Sequence, residues 1–265
     1  MKRLFLAAAF FLSWAANRGS AQDAAAAAPS IPYRVVGVYP HDTAAFTEGL
    51  LVHEGRLYES TGASDRVPGT RTLFGPVDLR TGIITPRAEL HPRLYFGEGI
   101  AFLNGKVYQL TYQDRIGFIY DAVSFKMTGR FRIPSKEGWG LTTDGRSLIM
   151  SDGTDSLTWI DPAGFAVLKR RAVTDNGRRV PGLNELEVIN GSVYANVFGS
   201  NRIVKIDTAT GAVLARLDLT PLVLEARRTY RGALELNGIA YDPGSGHVFI
   251  TGKLWPVLYR IEFAQ

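Results

Sequence analysis

The sequence predicts an all-β fold, a five-bladed β-propeller of four-stranded blades, and three observations carry that prediction. A phrase of the form strand, tight turn, strand occurs five times along the 265 residues. A second hairpin phrase follows each of the first four copies. Aligned on Glu48, Glu98, Trp139, Glu185 and Asn237, the copies are separated by 50, 41, 46 and 52 residues. A period of that length fits a four-stranded unit that buries both faces of its sheet by stacking against copies of itself. A β-sandwich would also use short strands, but it leaves the long period unexplained.

The elements follow in chain order. Residues 1–21 read as a secretory signal peptide: Lys2 and Arg3 precede an apolar stretch too short to span a membrane, and Gly19 and Ala21 stand at cleavage-site spacing. Residues 22–32, which include "AAAAAPS", read as a flexible linker, and the propeller domain is expected over 33–265. "YRVVGVYP" is an orphan strand. The repeats then begin with "FTEGLLVHEGRLYESTG", "FGEGIAFLNGKVYQLTY", "EGWGLTTDGRSLIMSDG", "LNELEVINGSVYANVFG" and "LNGIAYDPGSGHVFITGK", whose Glu-Gly, Asn-Gly, Asp-Gly and Pro-Gly-Ser-Gly centres are hairpin signals. "PVDLRTGIIT", "IYDAVSFKMTGRF", "WIDPAGFAVLKR" and "KIDTATGAVLARL" supply the second hairpins, each turning on an Asp. After Lys253 only "WPVLYRIEF" remains, one strand short of a blade. The orphan strand is expected to complete it, closing the ring with both ends of the chain.

Composition excludes several functions. Export would remove Lys2, Arg3 and Arg18 and no acid, lowering the formal charge from +5 to +2, so the mature chain is not strongly basic. The basic groups Lys169-Arg170-Arg171, Arg178-Arg179 and Arg227-Arg228 are separate and read as solvated loop charges rather than a nucleic-acid surface. There is no cysteine, so stability rests on the core rather than on disulfides. His41, His53, His91 and His247 lack metal-ligand spacing, and no phosphate-binding or serine-hydrolase motif is present. No metal and no cofactor is expected.

The first strand of each propeller blade lies nearest the axis, so the five aligned residues should form a ring around the central channel. Crowded carboxylates raise one another's pKa, which suits a group that trades protons near neutrality. Taken singly, Glu185 and Asn237 could instead be strand-start residues that bond to turns.

The phrases "FTEGL", "LYESTG", "FGEGI", "GFIYD", "GWGLTTDG", "SDGT", "LNELEVINGSVYANV", "LNGIAYD" and "TGKLWP", in this order from about Tyr33 to Phe263, resemble the plant-type glutaminyl cyclases, which also occur in bacteria. The resemblance implies a five-bladed propeller and a reaction in which the α-amine of an N-terminal glutamine attacks its own side-chain amide, forming pyroglutamate and ammonia. It implies Glu98 as the catalytic carboxylate, Lys253 and Asn184 as its essential companions, and Trp139 as a wall of the pocket. Two further aromatic walls, commonly tryptophan in the plant enzymes, fall on Tyr112 and Phe198. Glu48 stands where the family often has glutamine. Phe46, Glu48, Glu185 and Asn237 complete the expected substrate-binding set. The chemistry suits these residues: one carboxylate can carry a proton from attacking amine to departing nitrogen, a cation or donor can stabilise the amide oxygen, and aromatic walls can fold the side chain back.

Two other functions fit a propeller. A lactonase or hydrolase would hold a divalent cation on Glu48, Glu98, Glu185 and Asn237, against which the charge of Lys253 argues. A non-enzymatic binding propeller is the other, because fold does not determine function. The expected partners are peptides or proteins with N-terminal glutamine, acted on by an exported, periplasmic or secreted monomer.

Overall fold

The computed structural model describes residues 28–263. Five four-stranded antiparallel sheets follow one another around an axis. The chain enters on β1 (Tyr33–Pro40), then builds blade 1 from β2 (Thr47–His53), β3 (Arg56–Thr61), β4 (Leu73–Pro76) and β5 (Ala88–Glu89). Blade 2 is β6 (Gly97–Leu103), β7 (Lys106–Thr111), β8 (Ile116–Asp121) and β9 (Met127–Arg132). Blade 3 is β10 (Leu141–Thr143), β11 (Leu148–Met150), β12 (Ser156–Ile160) and β13 (Val167–Ala172). A small hairpin, β14 (Thr174–Asp175) and β15 (Arg178–Arg179), leads into blade 4: β16 (Leu183–Ile189), β17 (Ser192–Val197), β18 (Arg202–Ile206) and β19 (Val213–Asp218). Helix α1 (Thr220–Thr229) precedes β20 (Leu236–Asp242), β21 (His247–Gly252) and β22 (Val257–Phe263). Blade 5 is completed by β1, paired antiparallel to β22 from Tyr33↔Phe263 to Pro40↔Val257, so the orphan strand closes the ring as expected.

The two kinds of turn form for different reasons. Asn104-Gly105 and Asn190-Gly191 adopt positive φ at both residues, the geometry that matches the twist of a tight hairpin. The outer hairpins turn on Asp78, Asp121, Asp161 and Asp207, whose carboxylates each accept the N–H two residues on.

Core residues collect in the seams between neighbouring blades. Phe74 packs with Val107 and Phe118 between blades 1 and 2, and Leu110 and Ile133 with Met150 between blades 2 and 3. Leu157 meets Leu186 and Val193 between blades 3 and 4. Leu217, Leu222 and Val223 pack with Ile250 and Trp255 between blades 4 and 5, and Leu50 with Phe249 and Leu258 closes the circle.

Three features depart from the sequence reading. The expected signal peptide lies outside the described residues, and so do residues 22–27 of the expected linker. Residues 28–31 pair with the protein: Arg216 N–H donates to Pro29 O, Ile31 N–H donates to Arg216 O, and Ile31 is buried. Arg227 and Arg228 lie in the last turn of α1 rather than in a loop, where their charge complements the helix dipole, while Leu222, Val223 and Ala226 bury its other side. Lys169, Arg170 and Arg171 belong to β13, and Lys169 covers the ring of Trp159 at 4.0 Å.

Candidate active site

Four blades aim a polar side chain inward by the same device. The inner hairpin shifts register between Thr47 and Gly49, between Gly97 and Ile100, between Leu183 and Leu186, and between Leu236 and Ile239. Such bulges re-aim the residues within them. They hold Glu48, Glu98, Asn184 and Asn237, with Trp139 at the matching place in blade 3, two residues before β10.

The ring position in blade 4 therefore belongs to Asn184, not to Glu185 as the repeat alignment predicted. Counting back from the hairpin turn would have found it: Glu48, Glu98 and Asn184 each stand six residues before the first turn residue, at Glu54, Asn104 and Asn190. Glu185 matches Gly49, Gly99, Gly140 and Gly238 of the other blades. Those glycines permit close approach: a Cβ at Gly140 would sit 2.1 Å from Asn184 O. In place of a hydrogen, Glu185 extends a buried carboxylate that accepts from Leu50 N–H (3.1 Å) and Ile239 N–H (2.8 Å). Both oxygens are engaged by backbone, so Glu185 holds blades 1 and 5 rather than substrate. Burial, then the charge of Glu187, raises its pKa well above the carboxylate range.

At the centre lies a buried charged cluster. Lys253 Nζ donates to Glu48 Oε1 at 2.6 Å, and Asn237 Nδ2 donates to Glu48 Oε2 at 3.1 Å and to Thr47 O at 2.9 Å. Lys253 also sits 4.6 Å from the Phe46 ring centroid. Burial opposes its charge, but Glu48 and Glu98 outweigh that and hold its pKa above the ordinary lysine value. Burial raises Glu48 to about 7 even with Lys253 pulling down. Glu98 is raised well above the usual carboxylate range, first by burial and then by the charge of Glu48. Three buried oxygens here, Glu98 Oε2, Asn184 Oδ1 and Asn237 Oδ1, have no hydrogen-bond partner among the described residues. Unpartnered buried polar atoms are rare, and a group of them calls for a polar ligand.

Aromatic side chains stand around the cluster. Phe46 meets Phe96 edge-on at 5.8 Å, and Phe96 meets Tyr112 at 5.9 Å. Trp139 packs edge-on against the half-exposed Phe198 at 5.6 Å. Phe96 and Glu137 were not singled out from sequence, although both stand inside the repeat phrases. Glu137 accepts from Trp139 Nε1 and from Gln113 Nε2, each at 3.0 Å, so it fixes the indole and joins blade 3 to the β7–β8 turn. Burial raises the pKa of Tyr112, and the charges of Glu137 and Glu98 add to it. Among the described residues no three His, Cys, Asp or Glu side chains converge as metal ligands, and Lys253 occupies the cluster that the hydrolase alternative would use.

Known proteins place this arrangement. The profile of a family described as glutamine cyclotransferase matches residues 5–263. A glutaminyl-peptide cyclotransferase from Arabidopsis thaliana is 39% identical over 257 residues, covering 96% of this chain and 78% of the relative. The crystal structure of Myxococcus xanthus glutaminyl cyclase superposes with a TM-score of 0.77 at 34% identity, covering 90% of this chain and all of that one. With its propeller, its bulge-borne ring and a match along nearly its whole length, the chain belongs to the glutamine cyclotransferase family.

Proposed function

We propose that the protein converts N-terminal glutamine of peptides or proteins to pyroglutamate, with Glu98 as the proton carrier. The observation that carries the role of Glu98 is its buried, unpartnered Oε2, near enough to Glu48 and Lys253 to feel the charge of both. The α-nitrogen attacks the side-chain amide carbon, and Glu98 as carboxylate takes the amine proton while the new N–C bond forms. It then returns that proton to the departing nitrogen as the old C–N bond breaks, releasing ammonia. A raised pKa makes Glu98 a ready donor in the second step. Lys253 keeps two protons beyond the one given to Glu48, and with Asn184 it can face the negative amide oxygen. Phe46, Phe96, Tyr112, Trp139 and Phe198 would fold the glutamine methylenes toward the amine, which is where an intramolecular reaction gains most. The test is ammonia release from a glutaminyl peptide with and without chelator; equal release in both supports this mechanism, and loss with chelator overturns it.

We also propose that the chain is exported and cut after Ala21, exposing Gln22, itself a substrate group. The exported protein is then expected to weigh one ammonia less than residues 22–265. Intact mass spectrometry of wild-type and Glu98→Gln protein checks this; a different first residue ends the idea.

A further inference from the structure

His41 lies outside the ring, yet it is wholly buried and engaged at both nitrogens. Its Nδ1 is 2.8 Å from Trp255 O, an acceptor only, so Nδ1 carries a proton. Its Nε2 is 3.1 Å from both oxygens of Glu59. Glu59 in turn accepts from Thr47 Oγ1 at 2.7 Å. The two ends of this chain of bonds are catalytic neighbours. Thr47 precedes Glu48, and Thr47 O holds the Asn237 amide that also binds Glu48. Trp255 follows Lys253 by two residues.

The segment between them is strained. Leu254 has φ +58°, a left-handed conformation that a bulky side chain rarely adopts and that persists only when its surroundings impose it. Leu254 N–H donates to Ala45 O, Trp255 Nε1 donates to Leu234 O, and His41 grips Trp255 O. Lys253 N–H also donates to Glu235 O, and Thr47 Oγ1 lies 3.4 Å from Gly252 O; the route through His41 is the one that joins Trp255 O to the Glu48 bulge by way of the Glu59 carboxyl.

We propose that His41 is a positioning residue, clamping the Lys253–Trp255 turn to the Glu48 bulge through Glu59 and Thr47 so that the Lys253 ammonium stays in register with Glu98. With Nδ1 facing a carbonyl and Nε2 facing the Glu59 carboxyl, a positive charge on the ring would have a partner at each end. Burial opposes that charge, but Glu59, the bond to Trp255 and Asp42 outweigh it and raise the His41 pKa. The inference rests on the part assigned to Lys253 in turnover.

The experiment is a double-mutant cycle on glutaminyl-peptide turnover with His41→Gln, Lys253→Ala and both together, each confirmed folded by near-ultraviolet circular dichroism. His41→Gln is expected to lower kcat about tenfold with KM within about twofold, and to change kcat less than about twofold once Lys253 is alanine, since coupled residues are non-additive. Thr47→Val, which removes the hydroxyl that donates to Glu59 at 2.7 Å and lies 3.4 Å from Gly252 O, is measured in parallel in case His41→Gln does not fold. It should give a smaller loss that also vanishes in the Lys253→Ala background. Unchanged kcat in these variants, or a loss as large with Lys253 absent as with it present, overturns the clamp. A Lys253→Ala enzyme with wild-type turnover instead overturns the role of Lys253 itself.

Discussion

At the scale of single residues, the candidate site is a set of buried groups that shift one another's pKa. Replacing Glu98 with Gln keeps size and hydrogen-bonding capacity but removes the proposed proton carrier, so turnover should fall about 10²- to 10⁴-fold while the fold survives. Lys253→Ala should also lose most turnover. Glu185→Gln should chiefly destabilise, because one of the N–H groups of Leu50 and Ile239 loses its acceptor, at about 1–3 kcal/mol. Turnover and thermal unfolding of the three variants give the ordering, and a larger catalytic loss in Glu185→Gln than in Glu98→Gln would contradict it. Glu48→Gln removes a like charge beside Glu98, so the acid limb of the pH–rate profile should move to lower pH. An unmoved limb would mean the two carboxyls do not interact. Repetition put Glu48, Glu98, Trp139 and Asn237 at matching positions, whereas Lys253 and Asn184 came only through the resemblance to the glutaminyl cyclases. Glu185 was misread because two adjacent polar residues, Asn184 and Glu185, both suit a ring position and only the bulge register separates them. Glu137 and His41 were not legible, since each acts through a contact with a residue on another element, and no spacing records that.

At the scale of elements, the inner and outer hairpins were readable because their turns carry chemical signals, Asn-Gly in some and an Asp in the others. Helix α1 was not: it interrupts the repeat once, and its Pro221 and paired arginines look like loop composition until Leu222, Val223 and Ala226 are seen buried. The arm at 28–31 was hidden for a similar reason, because alanine and proline give no strand period. Its role can be measured. Beginning the chain at Tyr33 deletes the burial of Ile31, about 1.5–3 kcal/mol for a side chain of this size, and the backbone bonds to Arg216. The unfolding temperature should drop, by about 2–4 °C per kcal/mol in a domain of this size, with turnover of glutaminyl peptide unchanged. Unchanged melting would show that the arm contributes nothing to the fold.

At the scale of the molecule, four buried glutamates, Glu48, Glu98, Glu185 and Glu187, share a direction: burial raises them all, Glu48 to about 7 and Glu187 to about 8. A carboxyl that holds its proton more tightly in the fold than in the unfolded chain lowers stability as pH rises from the unfolded value toward the folded one. The protein should therefore be most resistant to heat near pH 5 and lose stability up to about pH 8, and Glu187→Gln should flatten the upper part of that decline. Melting curves across this range test it; rising stability from pH 5 to 8 would oppose it. The closure of blade 5 bears on how the chain comes into being. Among the described residues the first strand, β1, has as its partner the last, β22. At about 5–20 residues per second, the more than two hundred residues between them keep β1 waiting on the order of ten seconds or more after it emerges. A nascent chain of this protein can stack four blades but has no finished ring until β22 has emerged and met the waiting β1.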